Sequence, residues 1–135
     1  MKYIKIKDFS EENFRRETGV KKKTFSLMVN VIKKVEKKKR SIKKGGRPKK
    51  LSVEDRLLMT LEYLREYRTY FHISNSYGVA ESVCHENTKE IEDILIKCKD
   101  FSLPKRKEVV LNENEIEVIV VDAAETPIER PKKKD

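Results

Sequence analysis

Residues 69–98 read TYFHISNSYGVAESVCHENTKEIEDILIKC and predict two helices joined by a tight turn. Gly78 suits the turn because its missing side chain permits a positive φ angle. After the turn, apolar residues at helical spacing predict one buried stripe on the second helix: Val83, Ile91, Ile94 and Leu95. This outline is typical of a helix-turn-helix, whose second helix normally enters the major groove of DNA.

The opposite side of the second helix is polar, and it is the predicted surface for reading DNA bases. Its residues are Ser82, His85, Glu86 and Lys89. Glu86 can accept a hydrogen bond from a cytosine amino group but repels phosphate. The alternative, an ordinary helical pair in a small bundle, stays open on these residues alone.

The positive charge is concentrated in the first part of the chain. Residues 1–50 hold 19 Lys and Arg against 5 Asp and Glu, a net charge of +14, whereas residues 51–135 hold 13 against 18. A basic block of this kind indicates contact with a polyanion, because each neutralised phosphate releases counterions. The alternative is a solvated basic surface.

Two helices are predicted in residues 1–40, which we assign to an N-terminal basic helical pair. Ser10 followed by acidic residues is a good start for the first helix, and Thr18-Gly19 ends it. A second helix begins near Lys21, and its predicted buried stripe is Phe25, Met28, Val29, Ile32 and Val35.

Residues 41–51 have almost no apolar content and are predicted to be a basic, mobile linker. Within it, Gly46-Arg47-Pro48 can follow a narrow minor groove while the arginine enters it. We therefore predict DNA contacts from Arg47, Lys49 and Lys50. The alternative is a solvated tether.

Residues 52–99 are predicted to form the helix-turn-helix domain, which begins with one further helix. Ser52 can cap that helix, and Asp55 stands where the acid of a capping box is expected. Leu57, Leu58, Leu61 and Leu64 make its apolar stripe, and Thr69 caps the next helix.

Composition argues against several classes of protein. A chain of 135 residues with 41% charged residues has too small a core for a large enzyme. Cys84 and Cys98 form no CxxC pattern, so neither a disulfide framework nor a zinc site is indicated. No apolar stretch is long enough to span a membrane and the start lacks a secretory signal, so we expect a soluble cytoplasmic protein.

After residue 100 the pattern changes to that of strands. Residues 109–111 and 116–121 are rich in β-branched side chains and flank a turn at residues 112–114, which predicts a short β-hairpin. A lone hairpin is marginally stable, so we expect it to begin a sheet whose other strands are absent from the chain.

Residues 118–134, VIVVDAAETPIERPKKK, resemble the start of the catalytic domain of bacterial insertion-sequence transposases of the DDE class. The family pattern is D-A-T-E-x-P-I-x-R-P, and Asp122 falls on its first metal-binding aspartate. Residues 45–82 resemble the helix-turn-helix that precedes this domain in the family, although Ala80 replaces a common capping serine.

The resemblance implies that residues 100–135 begin a truncated RNase H-like catalytic domain behind a mainly α-helical DNA-binding part. Asp122 would be catalytic and would bind Mg²⁺ in the complete enzyme. The family's second Asp and its Glu would lie beyond Asp135, and one carboxylate cannot hold the two ions of this reaction. We therefore expect no cofactor and no catalysis from this fragment alone.

These observations predict the DNA-binding portion of a transposase that recognises the ends of its element through double-stranded DNA. Two alternatives stay open. The chain can be the first-frame part of an active enzyme completed by a downstream polypeptide, or a truncated regulator of transposition. The sequence does not decide between a monomer and a homodimer.

Overall fold

The computed structural model describes residues 2–43 and 45–101, and this part of the chain is mainly α-helical, as predicted. Its helices are α1 (Lys2–Ile6), α2 (Glu11–Thr18), α3 (Lys22–Ile42), α4 (Val53–Glu66), α5 (Tyr70–Tyr77) and α6 (Glu81–Lys97), followed by a 3₁₀ turn at Lys99–Phe101. The predicted hairpin, Asp122 and the rest of residues 102–135 lie outside the described residues.

Three helices begin at a hydroxyl side chain that accepts a hydrogen bond from the backbone N–H three residues later. The pairs are Ser10 with Asn13 at 3.2 Å, Ser52 with Asp55 at 3.1 Å, and Thr69 with His72 at 3.3 Å. Each cap satisfies one of the free N–H groups of a first turn. The helix starts predicted at Ser10, Ser52 and Thr69 are therefore confirmed.

Helix α1 was not predicted, and it explains why the expected role of Asp55 is wrong. Instead of reaching back to Ser52, Asp55 accepts the backbone N–H of Tyr3 through Oδ1 at 2.9 Å. The Asp55 side chain is buried. The carboxylate therefore joins α1 to the first turn of α4.

The main hydrophobic core lies between α3, α4 and α6, and α1 and α2 each contribute one buried side chain to it. Its buried side chains are Ile6, Phe14, Phe25, Val29, Ile32, Leu57, Leu58, Ile91 and Ile94. Burying one such side chain fully is worth about 1.5–3 kcal/mol. The N-terminal helices and the helix-turn-helix therefore share one core, and α3 continues to Ile42. The division at residues 1–40, 41–51, 52–99 and 100–135 stays a prediction.

A smaller buried cluster of Met59, Ile73 and Cys84 joins α4, α5 and α6. Cys84 takes the place predicted for Val83, whose side chain is 37% exposed. The inward side of α6 is formed by residues 84, 87, 88, 91 and 94, so it includes the polar Asn87 and Thr88, which a search for apolar residues misses. Leu64 was also predicted to be buried and is exposed.

Within residues 2–43 and 45–101, no helix combines the length and apolar character needed to cross a bilayer.

Candidate nucleic-acid interface

The turn between α5 and α6 is built on Gly78, which has φ 65° and ψ 38°. Its backbone N–H and that of Val79 both donate to the carbonyl of Ser74, which closes the end of α5. A Cβ at Gly78 would meet no atom within 4 Å, so the glycine is required by the left-handed backbone and not by crowding. Ala80 precedes α6 and offers no capping side chain.

The four residues predicted to face DNA all lie on the exposed side of α6. Ser82, His85, Glu86 and Lys89 follow the spacing i, i+3, i+4 and i+7, so they form one continuous strip. This side of α6 is therefore accessible to a ligand, as reading of DNA bases would require. Contact with DNA by these residues stays a prediction.

The position of His85 is set by aromatic residues of the neighbouring helices. Its ring and that of Tyr70 form a T-shaped pair with centroids 5.3 Å apart and planes at 86°. Tyr70 in turn stacks on Tyr63 at 4.4 Å and 11°. The aromatic contacts Tyr63–Tyr70–His85 thus connect α4, α5 and α6 and fix the position of the imidazole. The sequence analysis did not predict these contacts.

Two grooves flank α6. One, of about 510 Å³, lies between α3 and α6 and is lined by residues that include Lys39, His85 and Lys89. The other, of about 680 Å³, lies between α6 and the linker, with Arg47 and Glu86 among its lining residues. Each side of the exposed helix therefore carries a cation from another part of the chain.

The linker cations predicted to bind DNA differ in their surroundings. Lys49 Nζ lies 3.4 Å from Glu36 Oε1 and also contacts the carboxylate of Glu90. Lys50 Nζ donates to the carbonyl of Gly78 at 2.6 Å. Arg47 is exposed and makes no hydrogen bond or ion pair with the described residues. Of these three cations, only Arg47 can thus bind a ligand without breaking a contact with the described residues.

Glu36 is the acid that links the linker to the core. Arg56, whose side chain is buried, donates to both of its carboxylate oxygens at 2.5 and 3.0 Å. Partial burial raises the pKa of Glu36, but the bonds and charges of Arg56 and Lys49 outweigh it and hold the pKa below its ordinary value. The sequence analysis did not single out Glu36, although it is the lone acid among residues 21–50.

The charges of the two long helices differ in sign. Helix α6 contains five acids against two lysines, whereas α3 contains eight basic residues against Glu36. The acidic helix α6 repels a phosphate backbone, whereas the basic helix α3 attracts it. Attraction of a polyanion would therefore come from α3 and not from α6.

In the described part of the chain, no group of three or more His, Cys, Asp or Glu side chains is arranged to bind a metal ion. Asp122, the residue that the resemblance assigns to Mg²⁺, lies outside that part.

The comparisons with known proteins agree with this geometry. Residues 49–99 match the family described as the helix-turn-helix of DDE superfamily endonuclease. The chain is 46% identical over 133 residues to the probable transposase for insertion sequence element IS702 of Microchaete diplosiphon. The match covers 98% of this chain and 47% of that relative, so the chain spans about half of the relative's length. No solved structure is significantly similar to the chain.

Proposed function

From the family match of residues 49–99 and the 46% identity to a probable transposase, we infer that the chain is part of a DDE-superfamily transposase and that its helix-turn-helix binds double-stranded DNA. Helix α6 is proposed to enter the major groove, with Ser82, His85, Glu86 and Lys89 facing base edges. The basic residues of α3 and the linker contact the phosphates. The DNA would be the ends of the element that the complete transposase moves.

One observation carries this proposal: the polar strip of α6 is exposed and borders two grooves that each contain a cation. These are Lys39, which also contacts Glu90 at 3.5 Å, on one side and Arg47, unpaired among the described residues, on the other. A helix seated in a major groove has a phosphate backbone along each side. Cations on both sides of the helix match that arrangement.

The test is a fluorescence-anisotropy titration of a short labelled duplex over a range of salt concentrations. Each phosphate that the protein neutralises contributes about −0.9 to the slope of log K against log salt. We expect a clearly negative slope. Affinity that is independent of salt, or no binding at low salt, would contradict the proposal.

A pair of single substitutions separates the strip of α6 from general positive charge. Lys89→Gln should weaken binding to a preferred duplex by roughly tenfold, the size of one good contact to a base edge. Lys5→Gln on α1 removes the same charge from a different groove, whose lining includes no residue of α6, and should have a much smaller effect. Equal losses would place the interface elsewhere.

A second candidate function rests on residues 118–134. We propose that Asp122 serves as one metal ligand when the chain is joined to further polypeptide, where Mg²⁺ would support phosphoryl transfer in an RNase H-like domain. Sequencing the DNA that follows the codon of Asp135, in all three frames, for the family's second Asp and its Glu tests it. As a DNA-binding protein of this kind, the chain is proposed to act in the cytoplasm.

A further inference from the structure

The linker is attached to the helix-turn-helix at two places. Lys50 donates to the carbonyl of Gly78 in the turn at 2.6 Å. Lys49 contacts carboxylates on two different helices, Glu36 of α3 and Glu90 of α6. Residues 49 and 50 therefore contact the turn before α6, the middle of α6 and helix α3, which composition alone did not predict.

The attachment of Lys49 is stronger than an ordinary surface ion pair. An exposed pair of long side chains is worth little, because fixing both costs entropy. Here Glu36 is already fixed by two hydrogen bonds from the buried Arg56, and Lys39 adds a second contact to Glu90 at 3.5 Å. The carboxylate of Glu36 is thus ordered independently of Lys49, whereas the contact between Glu90 and the exposed Lys39 is itself a surface pair.

The consequence is a defined place for Arg47. Pro48 has a fixed φ angle and restricts the preceding residue to extended backbone. With Lys49 clamped, Arg47 lines the groove beside α6 together with Val83 and Glu86. Its guanidinium has no partner among the described residues, so it is available to a ligand at that spot.

We infer that Glu36 and Glu90 are positioning residues that clamp the linker through Lys49, so that Arg47 enters the minor groove next to the major groove occupied by α6. The inference rests on the proposed function. Arginine is the side chain suited to a narrow minor groove, where the negative potential is enhanced. A linker ordered before binding avoids the entropy cost of ordering it on DNA.

The clamp makes a prediction opposite to that of simple electrostatics. Removing a carboxylate near bound DNA normally strengthens binding, because it removes repulsion from the phosphates. If Glu90 positions Arg47, Glu90→Gln should instead weaken binding by roughly tenfold, through the lost ordering of the linker. Glu92→Gln is the matched control, because residue 92 lies on the opposite side of the same helix.

The experiment uses the full chain and a duplex enriched from a random-sequence pool by binding to the wild-type protein. Affinities are measured for wild type, Glu90→Gln, its control Glu92→Gln, Glu36→Gln, Arg47→Ala and the double variant Arg47→Ala with Glu90→Gln. Thermal unfolding checks that each variant is folded. Since Glu36→Gln leaves the buried Arg56 without its partner and can unfold the protein, Glu90→Gln is the decisive variant.

Positioning is distinguished from general stabilisation by coupling. Once Arg47 is absent, Glu90→Gln should cause no further loss, so the double variant should bind like Arg47→Ala. A second measurement replaces A·T pairs beside the selected site by inosine·cytosine pairs. This keeps the minor-groove pattern of A·T while changing the major groove, so binding through Arg47 should be retained there and lost with G·C pairs.

Three results would overturn the inference while leaving the proposed function intact. They are unchanged or tighter binding by Glu90→Gln, additive losses in the double variant, and equal tolerance of inosine·cytosine and G·C pairs. Failure of the wild-type chain to bind any duplex from the pool is a different result, which overturns the proposed function and this inference together.

Discussion

The backbone N–H of Tyr3 donates to the carboxylate of Asp55 at 2.9 Å, although the two residues are 52 positions apart. Tyr3 also stacks on Phe25 of α3, with ring centroids 5.5 Å apart. The short helix α1 is therefore fixed to α4 by a charged acceptor and to α3 by an aromatic contact. A segment of five residues can be ordered because it is held by its neighbours and not by its own propensity.

Asp55→Ala should lower the free energy of unfolding by about 1–3 kcal/mol, since it leaves the N–H of Tyr3 without its acceptor. Asp55→Asn keeps an oxygen at this position and should cost less. Urea denaturation followed by circular dichroism measures both. Equal losses for the two variants would show that the charge of Asp55, and not its hydrogen bond to Tyr3, is what stabilises the fold.

Three carboxylates should make stability depend on pH in the acid range. Partial burial raises the pKa of Glu36, Glu54 and Glu90, but hydrogen bonds and charges of Arg56, Lys33 and Lys49 outweigh it, so each pKa lies below the ordinary 4.5. Their contribution is therefore fully present above pH 4.5 and is lost as the pH falls through the folded-state values. Urea midpoints over a pH series measure this loss.

Glu90→Gln is the internal control for that pH dependence. Its midpoint should fall less steeply below pH 4.5 than that of the wild type, because one of the three shifted groups is absent. A wild-type midpoint that stays constant from neutral pH to well below 4.5 would contradict the assigned ion pairs.

Gly78→Ala should destabilise the protein by roughly 1–2 kcal/mol, because an L side chain is strained in the left-handed conformation. The surrounding space is open, so Gly78→Asn, which tolerates that conformation better, should cost less. Thermal unfolding of both variants measures the difference. If alanine and asparagine were equally harmless, the turn would not require its positive φ.

The two cysteines should differ in reactivity. Cys84 is fully buried between α4, α5 and α6, and burial raises the pKa of its thiol. Cys98 is only half-buried and lies past the end of α6. Iodoacetamide should therefore modify Cys98 first in the native protein and both residues after denaturation, as read by mass spectrometry. Early modification of Cys84 would contradict the packing of α6.

Local signals were sufficient to predict most of the helices. The caps at Ser10, Ser52 and Thr69 and the glycine of the turn each depend on a few neighbouring residues, and all appear where the sequence places them. Helix α1 was missed because it is stabilised by residues more than twenty positions away. The same explanation applies to Asp55, whose acceptor role depends on a segment that sequence periodicity does not bring near it.

The exposed residues of the candidate site could be predicted from the sequence, but the contacts that hold the linker against α6 could not. The spacing of Ser82, His85 and Lys89 identifies an exposed strip without any tertiary information. The clamp on Lys49 requires Glu36, Arg56 and Glu90 to meet from three helices, which no local pattern encodes. The burial of Cys84 in place of Val83 is a shift of one position, which hydropathy cannot resolve when Asn87 and Thr88 share the inward side.

Because α3 and α6 share one hydrophobic core, the helix-turn-helix segment 49–99 cannot simply be transferred into another protein by itself. Without α3, Ile91 and Ile94 would lose the core residues Phe25, Val29 and Ile32. Arg56 would also lose its ion-pair partner Glu36. A recombinant fusion that contains only that segment would expose this apolar surface and would tend to aggregate. Transplanting this recognition helix into another protein therefore requires the preceding basic helix to travel with it.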